Sequence, residues 1–405
     1  MPAMIDPPIG LSPAAARHVR PANYLLVKLA TRCNLKCSYC YWFRDETVYS
    51  RPPLMSHEVE DALLLKLERH LVDFQLPDFY LLFHGGEPTL FGKERFGRLA
   101  SRLRDMEQRL GVALKLGITT NGVLIDDEWV RLFQDTGVGV TVSLDGPPPV
   151  NDARRFDFAH RGAASRAIRG LERLRSAGIE PGVLAVCDPA SDPRLVTDYF
   201  VNELGVYQFD ILVPDATHED QPSSIARYYQ RLFDLWYDEL APLGVRIRYL
   251  ESIVAGLSGY ESHSESIGYG PNLHFTLLTD GSLEALDTVR VAQSGITRSG
   301  INILTHEIQE VVTDPLWQEL LEASVHLAPQ CAGCVYHFAC GGGHIASRWS
   351  DANRFNNPSV YCADLIAIFR HVWRRIAPDL MVTLPVAAPV QVSRGAAEGR
   401  TALPA

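Results

Sequence analysis

Short apolar runs alternate with longer amphipathic segments along the first half of the chain. The segments at 56–74 and 163–177 carry apolar residues at helical spacing, and Ser56 is a suitable N-cap. Apolar strands that alternate with helices predict βαβ units around a parallel sheet, either an open barrel or a doubly wound sheet. In such a barrel, chemistry belongs at the C-terminal ends of the strands. The six predicted strands are residues 24–30, 79–84, 114–120, 139–144, 182–186 and 208–213.

The alternation stops after Pro214, and the second half has a different organisation. Helices are predicted at 223–240, 247–257 and 363–376, and a hairpin at 275–286 turns at Asp280-Gly281. These patterns divide the chain into five parts. They are a loose lead-in (1–22), a barrel (23–215), a helical connection (216–265), a cysteine-rich domain (266–384) and a disordered tail (385–405).

Composition narrows the class of protein. Hydrophobic residues make up 46% of the 405 residues and charged residues 21%, which is ordinary for a globular protein with a large core. The net charge of −10 argues against general binding of nucleic acid or of an anionic membrane surface. No apolar run is long enough to span a membrane, and the N-terminus lacks a secretory pattern, so we expect a cytoplasmic protein.

Seven of the eight cysteines fall in two groups, which indicates metal sites. One group is Cys33, Cys37 and Cys40; the other is Cys331, Cys334, Cys340 and Cys362. A disulfide framework is typical of small secreted domains, whereas this chain is large and carries no export signal. The eighth, Cys187, ends an apolar strand and is expected to be a buried core residue.

The first group has the spacing C-x3-C-x2-C and follows the first predicted strand directly. Three thiolates on one loop hold three irons of a [4Fe–4S] cluster and leave the fourth iron open for a small molecule. The alternative is zinc, which favours pairs of C-x2-C with four ligands, and no nearby residue completes such a set.

This spacing, with an aromatic residue between the last two cysteines, resembles the radical S-adenosylmethionine (SAM) superfamily. The resemblance covers residues 24–214 and implies a partial (β/α)6 barrel of the TIM type, open on one side to a large substrate. It also implies that SAM chelates the open iron through its amino and carboxylate groups. A reductant such as ferredoxin or flavodoxin would then supply the electron that releases a 5′-deoxyadenosyl radical.

The same resemblance assigns SAM contacts to residues at the strand ends. The methionine end of SAM would lie at the Gly-Gly-Glu-Pro segment, the ribose at Ser143, the SAM carboxylate at Arg155 and the adenine at Tyr39. Each of these segments also suits an ordinary β–α turn, which is the simpler alternative. The implied SAM-binding residues are Tyr39, Gly85, Gly86, Glu87, Asn121, Ser143 and Arg155.

The second group reads C-x2-C-x5-C and is completed by Cys362. Four cysteines fully ligate a [4Fe–4S] cluster, although a structural zinc fits the spacing too. A radical SAM core in the same chain favours iron–sulfur, and the region resembles the SPASM domain of peptide-modifying radical SAM enzymes. That domain carries a further cluster, but two of its cysteine positions are Leu286 and His344 here. We therefore expect two clusters in all, with His344 as a hydrogen-bonded structural residue.

Two further segments narrow the resemblance. Gly341-Gly342-Gly343-His344 and Phe355 to Cys362, together with the hairpin, look like the cyclophane-forming branch of these maturases. That branch acts on ribosomally made precursor peptides. It joins an aromatic ring carbon to the β-carbon of a residue two positions away.

A crosslink of this kind requires loss of an electron and a proton from the ring. Asp287 matches the catalytic base of sulfatase-maturase relatives and is the predicted proton acceptor, with a solvated hairpin residue as the alternative. Asp280 is expected to form the turn, and Glu284 is a weaker candidate. Two other functions stay open: oxidation of a Ser or Cys side chain on a protein, as in sulfatase maturases, and a non-enzymatic electron carrier or zinc protein.

Overall fold

The computed structural model describes residues 11–262 and 264–383, and for 381–383 the backbone alone. Within these residues a nine-stranded sheet has the order β7-β6-β5-β4-β3-β2-β1-β8-β9. Every neighbouring pair is parallel except β8 and β9, which form an antiparallel hairpin. The strands are β1 Tyr24–Ala30, β2 Asp78–Gly85, β3 Ala113–Thr120, β4 Gly139–Ser143, β5 Gly182–Val186, β6 Gln208–Leu212, β7 Arg246–Ile247, β8 Phe275–Leu277 and β9 Leu283–Ala285.

Helices connect the strands, and the predicted N-cap at Ser56 is present. Ser56 accepts a hydrogen bond from the Val59 N–H, and Asp126 accepts one from the Trp129 N–H. The α-helices are Pro13–Ala16, His57–Asp73, Lys93–Leu110, Asp127–Thr136, Pro148–Asp152, Ala164–Ser176, Pro193–Asp198, Ala226–Leu235, Arg248–Leu257, Pro315–Val325, Pro329–Ala332, His337–Cys340 and Cys362–Thr383.

Shorter turns of helix complete the connections. The π-helical turns are Tyr199–Glu203 and Trp236–Leu240. The 3-10 helices are Tyr41–Arg44, Glu46–Ser50, Pro88–Phe91, Ala241–Leu243, Asp287–Val291, Ile308–Thr313 and Ile345–Arg348.

All six predicted strands are present within two residues of their expected ends, and the predicted fold class is confirmed. The sequence predicts that the alternation of strands and helices stops after Pro214. This is wrong, because one further parallel strand, β7, is present. β7 pairs with β6 in parallel, inside the predicted helical connection. Two residues are too few to carry a periodic pattern, which is why this edge strand was missed.

The C-terminal hairpin is part of the barrel sheet. β8 pairs in parallel with β1, so that Leu26 and Val27 face Thr276 and Leu277. A hairpin pattern in a sequence predicts its own two strands but not the strand beside them. This pairing brings the residues that follow β9 to the edge of the barrel.

The termini differ from the sequence prediction in one respect. Residues 11–22, expected to be loose, include the helix Pro13–Ala16, and the Ser12 N–H donates to Glu322 at 2.5 Å. The predicted disordered tail at 385–405 lies outside the described residues. The main apolar core extends across both halves, and a small second cluster consists of Trp42, Val48 and Leu278. Cys187 is buried in the main core, as predicted. No helix in the described part of the chain has the length and apolar character needed to cross a membrane.

Candidate active site

A cavity of about 220 Å3 opens at the C-terminal ends of the barrel strands. We call it the barrel cavity. It brings together the first cysteine group and the strand-end residues that the sequence analysis selected. They are Cys33, Cys37, Cys40, Tyr39, Gly85, Gly86, Glu87, Asn121, Ser143 and Arg155.

Two glycines let the end of β2 lie directly against the cysteine loop. A Cβ on Gly85 would stand 2.3 Å from the Ala30 carbonyl oxygen, and one on Gly86 would stand 2.4 Å from the Arg32 carbonyl oxygen. Both carbonyls belong to the chain that enters the C-x3-C-x2-C segment. No side chain fits at either position, so the glycines are required by this close approach.

Glu87 joins the ends of two strands. Its Oε1 accepts hydrogen bonds from the Thr89 N–H and hydroxyl and from the Thr120 hydroxyl, while Oε2 accepts from the Asn121 N–H at 2.8 Å. The carboxylate is 1% exposed, and burial raises its pKa. With four donors already in place, Glu87 shapes the cavity floor.

Asn121 follows β3 and reaches toward the cysteine loop. Its Nδ2 donates to Asn34 Oδ1 at 2.7 Å and lies 3.7 Å from Cys33 Sγ. Ser143 ends β4 and lines the cavity without being buried. Both side chains are therefore placed where a ligand over the cysteine loop would meet them.

A chain of hydrogen bonds links Tyr39, which lies between Cys37 and Cys40, to the residues that follow β4. Arg155 Nη1 donates to the Tyr39 hydroxyl at 2.7 Å, and that hydroxyl donates to Asp145 Oδ2 at 2.7 Å. The Arg154 guanidinium lies 4.2 Å from the centre of the Tyr39 ring. Asp145 was not selected from the sequence, although its position after β4 in the motif Ser-Leu-Asp-Gly was the available signal. The pair Tyr39 and Arg155 offers one flat ring and one fixed cation to a ligand.

The first cysteine group fits a cluster with an open iron. Burial raises the pKa of all three thiols, so their thiolate forms require a strong cationic partner, which iron provides. No fourth cysteine lines the cavity. In the described residues, no three His, Cys, Asp or Glu side chains converge on a point where one ion would bind. A [4Fe–4S] cluster differs, because each thiolate binds a separate iron.

The second cysteine group surrounds its own small space. A cavity of about 50 Å3 is lined by Cys331, Cys334, Cys340 and Cys362, with Leu365 and Phe369 among its apolar neighbours. Burial raises the pKa of Cys340 to about 12. Four thiols around one enclosed space match the donor set of a cluster without an open iron.

Asp287, the predicted base, lies behind the cavity wall. Lys28 Nζ stands 2.5 Å from its Oδ2, and the Tyr41 hydroxyl donates to the same oxygen at 2.6 Å. The ammonium holds the pKa of Asp287 at about 2 despite its burial. Tyr41 lines the cavity, while Asp287 is not among the lining residues. Its role as proton acceptor stays a prediction.

The other hairpin carboxylates have structural partners. Asp280 Oδ1 accepts from the Ser282 N–H in the turn, as expected for a turn former. Glu284 is fully buried and pairs with Arg51 and Arg290, and it does not line the barrel cavity. Leu286 is buried.

Two carboxylates that line the cavity, Asp215 and Glu265, were not predicted from the sequence. Asp215 lies beyond the end of β6 and lines the barrel cavity together with Thr288 and His344. His344 Nδ1 is 3.8 Å from Asp215 Oδ1, and its Nε2 is 3.2 Å from the Thr288 hydroxyl. The position after the sixth strand was the signal available in the sequence, but no motif marks it.

Comparison with known proteins agrees with this geometry. Residues 27–188 match the model of the radical SAM superfamily. The cysteine-type anaerobic sulfatase-maturating enzyme of Clostridium perfringens is 24% identical over 88% of this chain and 97% of its own length. The serine-type enzyme of Klebsiella aerogenes is 26% identical over 82% of this chain and 81% of its own.

Two solved structures share the fold. The structure of anSMEcpe with bound AdoMet has a TM-score of 0.78 at 24% identity, and the match covers 89% of this chain and 99% of that one. Streptococcus suis SuiB bound to S-adenosylmethionine has a TM-score of 0.61 at 16% identity, covering 84% of this chain and 77% of that one.

The fold and the barrel cavity define a radical SAM enzyme. Residues 27–188 match the radical SAM superfamily, which implies a [4Fe–4S] cluster and SAM as cofactors. The non-enzymatic electron carrier and the zinc protein are thereby set aside.

Proposed function

We propose that this enzyme forms a carbon–carbon crosslink in a ribosomally made precursor peptide. The bond would join an aromatic ring carbon to the β-carbon of a residue two positions away. The observation that carries the proposal is the position of the two segments that resemble the cyclophane-forming branch. His344 lines the barrel cavity, and the Tyr361 hydroxyl donates to the Pro214 carbonyl, whose residue lines the same cavity.

The ligand positions of the second half support a single auxiliary cluster. Where a SPASM domain with a further cluster would place cysteines, Leu286 is buried and His344 is bonded to Thr288. We therefore propose two [4Fe–4S] clusters, one at Cys33, Cys37 and Cys40 and one at the four-cysteine cavity. The second would accept the electron that leaves the ring.

The cavity residues would bind SAM and exclude water. When bound, the first cluster and SAM supply a radical that removes a hydrogen atom from the peptide. Arg155 and Tyr39 offer a cation and a ring to SAM, while Gly85 and Gly86 let it approach the backbone. Asn121 and Ser143 contribute polar groups beside them. An electron donor such as ferredoxin or flavodoxin is the expected reductant.

A second candidate is oxidation of a Ser or Cys side chain on a protein. It is favoured by the match to the sulfatase-maturating enzyme of Clostridium perfringens over 97% of that protein's length. The two candidates share hydrogen-atom removal and differ in what the resulting radical does.

Mass spectrometry with a carbonyl reagent separates them. The probe is a synthetic peptide with an aromatic-x-x segment near its end, incubated with the enzyme, SAM and a reductant. A crosslink removes two hydrogens, suppresses fragmentation across three residues and leaves nothing that reacts with a hydrazine. An oxidised Ser side chain also loses two hydrogens, and a Cys side chain that becomes an aldehyde also exchanges its sulfur for oxygen. Either aldehyde forms a hydrazone and fragments normally, and that result would overturn the crosslink.

A further inference from the structure

Asp215 has a carboxylate that lines the barrel cavity and accepts no hydrogen bond from the described residues. It lies at the C-terminal end of β6, where barrel enzymes place their chemistry. Its side chain is 24% exposed and faces the space that the first cysteine group also lines. Within residues 11–262 and 264–383, no group donates a hydrogen bond to the Asp215 carboxylate. Its lone pairs are therefore open to the cavity.

His344, when protonated, is the ion-pair partner of this carboxylate. The distance of 3.8 Å between Nδ1 and Oδ1 is too long for a hydrogen bond but suits electrostatic attraction. Thr288 holds the other ring nitrogen at 3.2 Å. Burial raises the pKa of Asp215, and His344 opposes that rise. The ring thus favours the ionised carboxylate without occupying it.

The segment that ends in Cys362 fixes the loop that carries Asp215. On one side, the Tyr361 hydroxyl donates to the Pro214 carbonyl at 3.1 Å. On the other, His218 Nε2 lies 2.8 Å from the Pro358 carbonyl, and the His218 N–H donates to the Trp349 carbonyl at 2.9 Å. Both segments that resemble the cyclophane-forming branch therefore have a structural role. Residues 341–344 place His344 at the cavity, and residues 355–362 hold the loop that carries Asp215.

Two other carboxylates are less suited as proton acceptors. Glu265 also lines the cavity, but Arg248 Nη1 lies 3.9 Å from its Oε2 and lowers its pKa. Asp287 Oδ2 is engaged by both Lys28 and Tyr41, and the pKa of this carboxyl is about 2. A carboxylate so stabilised as an anion is a weak base, because accepting a proton would break an ion pair. Its partners place it in the wall rather than at the substrate.

We propose that Asp215 takes the proton that leaves the substrate, with His344 as the positioning residue that keeps it ionised. The inference rests on the proposed function. After a hydrogen atom has left the β-carbon and the new bond has formed, the ring carbon still carries its hydrogen. That C–H bond breaks and the proton passes to Asp215, while the oxidised [4Fe–4S] cluster that the four cysteines would hold would take the electron. The ring regains its aromaticity, and no atom is added.

The test separates hydrogen-atom removal from proton removal. The same synthetic peptide is made with β-deuterium and given to wild type, Asp215→Asn and Asp215→Glu. Deuterium in 5′-deoxyadenosine reports the first step, and modified peptide per 5′-deoxyadenosine reports the second. In Asp215→Asn we expect deuterium transfer to continue and modified peptide per 5′-deoxyadenosine to fall roughly 100-fold. Asp215→Glu should recover part of the loss.

Asp105→Asn is the matched control, since Asp105 is exposed on a barrel helix. Iron content and SAM cleavage show whether each variant is folded and loaded. An unchanged ratio in Asp215→Asn would overturn the proposal, and so would loss of deuterium transfer in a loaded variant, which would indicate substrate positioning. If wild type yields a carbonyl instead of a crosslink, the proposed function fails, while the ratio still decides the role of Asp215.

Discussion

Lys28 Nζ stands 2.5 Å from Asp287 Oδ2, and both side chains are almost completely buried. Lys28 belongs to β1, and Asp287 begins the helical turn after β9. The ammonium also lies 4.5 Å from the centre of the Trp42 ring. This ion pair therefore joins the barrel, the cysteine loop and the C-terminal hairpin at one point.

Removal of one partner should destabilise the protein strongly. Lys28→Met or Asp287→Asn leaves an uncompensated buried group, and each is expected to cost about 3–5 kcal/mol in the free energy of unfolding. The double variant should recover much of that loss, because neither charge is then left alone. Chemical denaturation measures the free energy of unfolding of the single variants and of the double variant.

Lys93→Met is the control for this pair, since Lys93 forms exposed ion pairs with Asp126 and Glu128. It should cost no more than about 1 kcal/mol. A loss that small in Lys28→Met would show that the buried pair does not hold the hairpin to the barrel.

The iron content tests the number of clusters. Two [4Fe–4S] clusters correspond to about eight irons per reconstituted chain. The triple Ala variant of Cys33, Cys37 and Cys40 should keep about four irons and lose SAM cleavage, because the open iron is gone. About twelve irons in wild type would show a further cluster despite Leu286 and His344.

The strands and both cysteine groups were predictable because each depends on local pattern: apolar runs in one case and spacing in the other. Asp215 was not, because no motif surrounds it and its importance comes from β6 and His344 meeting across the cavity. The partner of Asp287 was equally hidden, since Lys28 lies in an apolar strand where a cation is not expected. Neither position can be predicted from a local sequence pattern, because each depends on contacts between segments that are far apart in the chain.

Gly86 should be intolerant of any side chain. Gly86→Ala places a Cβ 2.4 Å from the Arg32 carbonyl oxygen, so the cysteine loop must move. We expect the variant to lose the first cluster, keep about four irons and fail to cleave SAM. Gly300→Ala, where nothing lies within 4 Å of the added Cβ, should keep wild-type iron content. Normal SAM cleavage by Gly86→Ala would contradict the close approach.

The ratio of modified peptide to 5′-deoxyadenosine should depend on pH through Asp215. Burial and nearby Asp287 raise the pKa of Asp215, while His344 and Arg44 lower it, and the net shift is upward. As the pH falls through that raised value, the carboxylate becomes protonated and the ratio should drop. His344→Gln should move the drop to higher pH. A ratio independent of pH in wild type would argue against a carboxylate as the acceptor.

The fate of ring deuterium tests the crosslink most directly. The precursor peptide is prepared with a fully deuterated aromatic ring and, separately, with deuterium on the β-carbon two residues later. We expect the β-deuterium to appear in 5′-deoxyadenosine and the modified peptide to have lost one ring deuterium. Retention of every ring deuterium in a modified peptide would contradict the crosslink and favour oxidation of a Ser or Cys side chain.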